Sequence, residues 1–441
     1  MHRYKLFIVL GMFIAGITLA IHSCQPRRLH ASHIEQTEPI YRLNDSICNA
    51  HSTHPETERL DRYLRNWMAR YNIRGAQLAL MEEEKLIYAK GYGWADKEDS
   101  VALEAGDILR IASASKLITA IAIMKLAEEG KLTTSQTVFG PEGILNDSIF
   151  SHYKDKRVTK ITVRHLLNHT SGFSRRMGDP MFRSADLIRW TGSNRKLTED
   201  EVIAFQLGLR LRDNPGGSAQ YSNVGYLVLS RVIEKASGMT YEDYTRKHVL
   251  EPAGCYDMQI ARNFKHEKHH REVTYYGHAP EDLIESYDGS GILRTREYGG
   301  HNIEGLQGAG AWVCSAAELL RLVASIDGKP GIPDILSQAS IDEMTTLLRK
   351  GDFPYGWARM QGKSGLSRTG TMSGTSAYIK YRPGGISYVL ITNTSNYRGA
   401  TFTNRLGQVV ENALRRVKEW PEVVDLFNEV PQIACDSTTH K

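Results

Sequence analysis

Ser113 and Lys116 stand three residues apart at the head of Ile111-Ala-Ser-Ala-Ser-Lys-Leu-Ile-Thr-Ala120, a run that continues apolar to Leu132. A helix beginning at Ser113 would place both side chains on one face, one turn apart. From there a lysine amine can take the serine proton and generate an alkoxide nucleophile. The unpaired N–H groups and positive dipole potential of a helix start favour the alkoxide and disfavour a charged lysine. The same spacing recurs as Ser151-His-Tyr-Lys154, where polar flanks and no helical run predict a surface segment.

Two later segments supply complementary groups. Tyr221-Ser222-Asn223 follows Pro215-Gly216-Gly217 and precedes an apolar helix from Val224. A tyrosine and an amide presented just before a helix can relay protons and hold a substrate amide. Read alone, the same residues are a turn tyrosine and a helix cap at Asn223. Arg368-Thr369-Gly370-Thr371 lies just before a pair of strand-like runs in 376–393. On an edge strand these residues would let a carboxylate dock beside the backbone, with the N–H groups of Thr371 and Ser113 as an oxyanion hole. Read alone, Arg368 is an exposed strand arginine.

The elements that must position these groups follow from periodicity. Leu60, Tyr63, Leu64, Trp67 and Met68 predict a helix over Glu56–Tyr71. Ala76–Met81 and Lys85–Tyr92 read as an antiparallel hairpin closed by Glu82-Glu83-Glu84. The Ser113 helix ends at Gly130-Lys131, and residues 133–350 read mostly as helix and loop. Helices are expected at Ile161–His169, Tyr226–Ala236 and Tyr241–Leu250, with long substrate-facing loops at 174–215 and 262–306. Strands return at Ser376–Arg382 and Ile386–Asn393 around Pro383-Gly384-Gly385, before an amphipathic helix over Thr403–Lys418. The fold class expected is α/β (α+β): one antiparallel sheet built from both ends of the chain, flanked by terminal helices, with a large helical insertion. The cleft between the two lobes then receives Ser113.

The order of these motifs resembles the serine β-lactamase and penicillin-binding-protein superfamily, in its class C-like branch. Gly91-Tyr-Gly-Trp-Ala-Asp96, Arg164-His-Leu-Leu-Asn-His-Thr-Ser-Gly-Phe173 and Pro215 to Gly238 look like characteristic segments of that branch. So do Glu251-Pro-Ala-Gly254, Gly308-Ala-Gly-Ala-Trp-Val-Cys-Ser315 and Val389-Leu-Ile-Thr-Asn393. The resemblance implies that Ser113 is the acylated nucleophile, Lys116 its base and Tyr221 a proton shuttle. It implies that Asn223 holds the substrate amide, and that Arg368 and Thr369 bind a carboxylate or orient the leaving side. Gly370 completes that motif, and the Thr371 N–H completes the oxyanion hole. The branch's third motif usually begins with Lys or His, and Arg368 departs from it by offering a fixed two-pronged cation. Lys363-Ser364-Gly365 matches the motif literally, but the spacing into Ser373-Gly374 and the following strands favours Arg368. Glu142-Gly-Ile-Leu-Asn146 imitates a class A deacylation motif and lies on the wrong side of Tyr221.

With 41% hydrophobic and 24% charged residues and a formal charge of +5, the chain has a globular composition and no basic, aromatic-laced block for nucleic acid. His2, Arg3 and Lys5 precede the apolar run Leu6 to Ile21, which predicts a targeting segment over residues 1–24. Cys24 is a lipidation candidate; ordinary signal cleavage and an uncleaved anchor are the other readings, and all three export the protein. The expected location is periplasmic, or the outer membrane as a bacterial lipoprotein, with the membrane met through this anchor. Residues 25–54 read as a tether and 431–441 as a tail. The domain between, 55–430, divides into a sheet lobe of 55–110 plus 352–430 and a helical lobe of 111–351. No cysteine pair has metal-ligand spacing; Cys48 and Cys435, in the two terminal extensions, are a candidate disulfide. His266, His269, His270 and His278 read as a solvated polar segment, and His165 and His169 as structural residues of a helix end.

The function expected is an exported serine hydrolase that cleaves a peptide amide, ester or β-lactam-type bond through an acyl-enzyme, with neither metal nor organic cofactor. Its partner would be a small molecule or peptide, a carboxylate-bearing one among them. The alternative is a penicillin-recognising binding or sensor protein that has lost turnover.

Overall fold

The computed structural model describes residues 42–279, 282–360, 365–422 and 424–429. Its main sheet has seven antiparallel strands: β1 (Gly75–Glu82), β2 (Lys85–Asp96), β3 (Val101–Ala102), β4 (Arg359–Met360), β5 (Leu366–Met372), β6 (Thr375–Tyr381) and β7 (Ser387–Thr392). Their order is β3-β2-β1-β7-β6-β5-β4. The first three strands and the last four thus meet where β1 pairs with β7, from Ala76 opposite Thr392 to Met81 opposite Ser387. Four helices organise the rest: α1 (Glu58–Tyr71), α2 (Ser115–Glu128), α3 (Asn223–Ser237) and α4 (Leu406–Leu414).

Period-two alternation sorts the central strands between two cores. Leu78, Leu80, Tyr88, Tyr388 and Leu390 pack with Leu60, Leu64 and Trp67 of α1 and Leu406 and Val410 of α4. Ala79, Met81, Ala377, Ile379, Val389 and Ile391 face the larger core that holds α2 and α3. Helix α2 is apolar almost all round and buried from Ser115 to Met124, as a central helix must be.

The expected hairpin closes with Glu83 and Glu84 both at positive φ, 46° and 60°. Such a turn ordinarily takes Asn-Gly. Here the Glu84 carboxylate accepts hydrogen bonds from the Gly331 and Ile332 N–H groups, at 2.9 and 2.7 Å, and holds the turn in place.

Several boundaries differ from the sequence reading. Residues 42–54 are not a free tether: Leu43–Ser46 is a short helix, Leu43 and Ile47 are buried, and Asn44 Nδ2 donates to Glu318 Oε2 at 3.0 Å. Their two apolar anchors are too few to register against a polar background. The 174–215 loop contains helices Ser184–Thr191 and Glu199–Leu207, and the 262–306 loop contains the small hairpin Leu283–Glu285 with Leu293–Thr295. Cys48 is disulfide-bonded, whereas Cys255 and Cys314 are free and buried. Cys435, the expected partner, lies outside the described residues, as do Cys24 and the whole targeting segment.

Candidate active site

A second, three-stranded sheet delivers the chain to Ser113. Leu109–Arg110 pairs with Trp312–Cys314, which pairs in turn with Gln259–Ile260. The Ile111 N–H donates to Trp312 O, and Trp312 N–H donates to Ser115 Oγ, both at 3.1 Å. Between these ties Ala112 takes φ 47°, and Ala112–Ala114 form a 3-10 turn. The α-helix therefore begins at Ser115 rather than at Ser113. Strand β5 closes on this turn at Gly370, where a Cβ would lie 2.0 Å from Ile111 O, so only glycine permits the approach.

Three of the expected catalytic side chains converge. Lys116, with no exposed surface, directs Nζ to Ser113 Oγ at 3.3 Å, to Asn223 Oδ1 at 2.7 Å and to the carbonyl oxygen of Ala309. Tyr221 O–H donates to Ser113 Oγ at 2.7 Å. Burial brings the Lys116 ammonium down to about 8, and the Arg368 charge pushes the same way. Burial alone would raise the Tyr221 phenol, but the Lys116 and Arg368 charges outweigh it and leave the phenol below its ordinary value. Both groups thus lose their protons more readily than usual beside one hydroxyl, the direction that lets them take up its proton.

Arg368 is buried, at 1% exposure, and not an exposed strand residue. Its Nε donates to Ser113 O at 2.8 Å and one terminal nitrogen to Tyr221 Oη at 3.3 Å, while Nη1 is buried without a partner. Alternation along β5 places Thr369 and Thr371 on the opposite face from Arg368 and Gly370. The Thr371 hydroxyl is engaged with Thr403 Oγ1 at 2.8 Å and so is turned away from Ser113. Asn223 is not the helix cap: Ser222 caps α3 by accepting from Gly225 N–H at 3.1 Å, which frees the Asn223 side chain for Lys116.

Sequence reasoning missed Asp179 and undervalued His169. Asp179, inside the predicted substrate-facing loop, accepts from Asn223 Nδ2 at 2.6 Å. His169, at 1% exposure and φ 62°, clamps the Tyr221 segment at two points: its carbonyl accepts from Gln220 N–H at 2.7 Å and its Nδ1 from Ser222 N–H at 3.2 Å. Its ring lies 4.6 Å from Tyr221, 5.1 Å from Tyr226 and 4.9 Å from Phe353. Burial, then the Arg368 and Lys116 charges, hold this imidazole well below its ordinary pKa, so it is neutral. The sequence signal available was the Asn-His-Thr-Ser-Gly segment, which names the residue but not its neighbour.

The remaining candidates lie elsewhere. Ser151 is exposed and donates to Ser148 O, and Glu142 is exposed in a turn. His266 stacks on Phe264, and His269 Nε2 meets Ile260 O at 2.8 Å. Lys363 and Ser364 lie outside the described residues.

A family model described as Beta-lactamase matches residues 60–419, a span that holds Ser113, Lys116, Tyr221 and Arg368. The chain belongs to the beta-lactamase family. Among relatives, Penicillin-binding protein 4* of Bacillus subtilis is 27% identical over 294 residues, covering 65% of this chain and 60% of that one. Protein flp of Staphylococcus aureus is 28% identical over 207 residues, 45% of this chain and 37% of its own length. The matches therefore span less than two thirds of either relative. The octameric penicillin-binding protein homologue from Pyrococcus abyssi superposes with a TM-score of 0.61 at 26% identity, over 82% of this chain and 79% of that one. D-amino acid amidase from Ochrobactrum anthropi shares the fold, with a TM-score of 0.63 at 22% identity over 83% and 100% of the two chains. Serine hydrolase chemistry through an acyl-enzyme is general to this beta-lactamase family.

Proposed function

We propose that this family member is an exported serine hydrolase acylated on Ser113, acting on a peptide amide or small ester, with β-lactams as a further substrate class. The observation that carries the reading is the convergence of Lys116 Nζ and Tyr221 Oη on one serine oxygen. In the first half-reaction the Ser113 proton passes to the Lys116–Tyr221 pair and Oγ attacks the substrate carbonyl carbon. The N–H groups of Ser113 and Thr371 take the developing oxyanion. The second Nδ2 hydrogen of Asn223 holds a substrate carbonyl, and Arg368 with the strand backbone at Thr369 and Gly370 forms the wall that meets a carboxylate or the leaving side. Tyr221 returns the proton to the departing nitrogen or oxygen. Water, deprotonated by the same pair, then attacks the Ser113 ester and restores the free serine. Export rests on the basic start and apolar run before Cys24, with lipidation at Cys24 the anchoring chemistry.

Arg368, in place of the usual lysine or histidine, favours one second reading, a sensor that is acylated and does not turn over. Chromogenic esters, D-amino-acid peptides and β-lactams, with a phosphonate label, separate the two. Wild-type enzyme is expected to label and turn over repeatedly, and Ser113→Ala to do neither. Labelling that survives in Ser113→Ala would overturn the nucleophile assignment, and one stoichiometric burst without turnover would select the sensor.

A further inference from the structure

We infer that Asp179 reads a free α-ammonium group on the substrate, so that the acyl half is an unblocked aminoacyl group; the inference rests on the hydrolase reading above. Asp179 is half-buried, caps the short turn Pro180–Phe182 through Met181 N–H, and is anchored by the burial of Pro180 and Met181 behind it. Its other oxygen accepts from Asn223 Nδ2 at 2.6 Å, and that amide binds Lys116 through Oδ1. No basic side chain pairs with Asp179 among the described residues; the nearby Arg183 is engaged with Asp186. A fixed carboxylate that makes no ion pair of its own therefore borders the Asn223 amide, with Lys116, whose ammonium its charge favours, on the amide's other side.

The surroundings make that charge selective. The fixed Arg368 charge would repel a substrate cation placed next to Ser113, so an ammonium is tolerated only where a carboxylate answers it. An α-amine lies roughly 2.5 Å from its own carbonyl carbon. With that carbon at attack distance from Ser113, the amine falls toward the Asn223 end of the site, where Asp179 waits. An N-acylated substrate cannot form this pair and instead covers a carboxylate whose charge has no ammonium against it.

The test compares an aminoacyl ester carrying a free α-amine with its N-acetyl twin, in wild type and in Asp179→Asn, reading the ratio of the two kcat/KM values. Any disturbance of Asn223 lowers both rates and cancels in the ratio. Wild type is expected to prefer the free amine by about tenfold or more, the scale of a hydrogen bond to a charged group. That preference should fade as pH rises through the amine's own pKa, near ~8, and Asp179→Asn should lose most of it. An equal loss on both substrates, or no wild-type preference, overturns the inference and leaves Asp179 as a prop for Asn223. Absence of turnover on both esters overturns it too; phosphonate labelling of Ser113 then reports whether the hydrolase reading has failed with it.

Discussion

Replacing Arg368 by Met should move the acidic limb of the pH–rate profile upward by about one unit or more. Lys116 Nζ lies 5.0 Å and Arg368 Cζ 5.7 Å from the centroid of the Tyr221 ring, so the two charges are at most about 11 Å apart. At that limit, with an effective dielectric constant of ~20, their repulsion is about 1.5 kcal/mol. That is about one unit of pKa, and closer approach makes it larger. The amine must be neutral to accept the Ser113 proton, so kcat/KM rises with pH through the Lys116 pKa, at about 8 in the native protein. Losing the Arg368 charge stabilises the Lys116 ammonium and the Tyr221 phenol alike, and both effects push the limb to higher pH. The variant also loses the bond to Ser113 O and reacts more slowly at every pH, which changes the amplitude of the profile and not its midpoint. Arg368→Lys keeps a cation but not the fork; its limb should stay near the native position while kcat falls. The assay is kcat/KM on a chromogenic ester, which reports free-enzyme ionisation, with a thermal melt to show that each variant is folded. A midpoint in Arg368→Met that coincides with wild type would refute the electrostatic account of the site.

Lys116→Met should abolish turnover yet stabilise the fold by about 3 kcal/mol at pH 7, because a buried ammonium is removed. Between pH 8 and roughly 10.5 the unfolded chain holds a proton that the folded site has released, so wild-type stability rises with pH and the gap closes. Urea unfolding at several pH values measures it, and a constant gap would show that burial of charge is not the cause. His169→Ala should lower kcat by more than tenfold by releasing Ser222 N–H and the Tyr221 ring. His169→Asn, whose Oδ1 can accept the same N–H and whose backbone tolerates positive φ, should recover most of the rate. Equal losses in the two variants, measured with melting temperature as a control, would remove the positioning role.

How much of this was legible before folding depends on the range of each interaction. Ser113 and Lys116 are related by one helical turn, and the alternation of β1, β2, β6 and β7 by the two-residue pleat. Both are local geometries that residue spacing encodes directly. Strands at both ends of the chain around a helical middle were enough to indicate a sheet joined from the two termini, since each end alone supplies too few strands for a stable sheet. The order of the motifs carried Tyr221, Asn223 and Arg368 to the same site. Tertiary structure decided how they meet. Ser113 leaves the helix for a 3-10 turn because Trp312 and Gly370 pin its backbone from two different sheets. Arg368 reaches Ser113 across 255 residues of sequence, and Asp179 reaches Asn223 across 44. At such separations no periodicity links partners, and only the packing of whole elements selects them. His169 shows the division most plainly: its sequence context marks a helix end, and only the fold sets that end against the Tyr221 ring. The residue types determined the chemistry available to this protein, and long-range packing determined which of those residues meet at one hydroxyl.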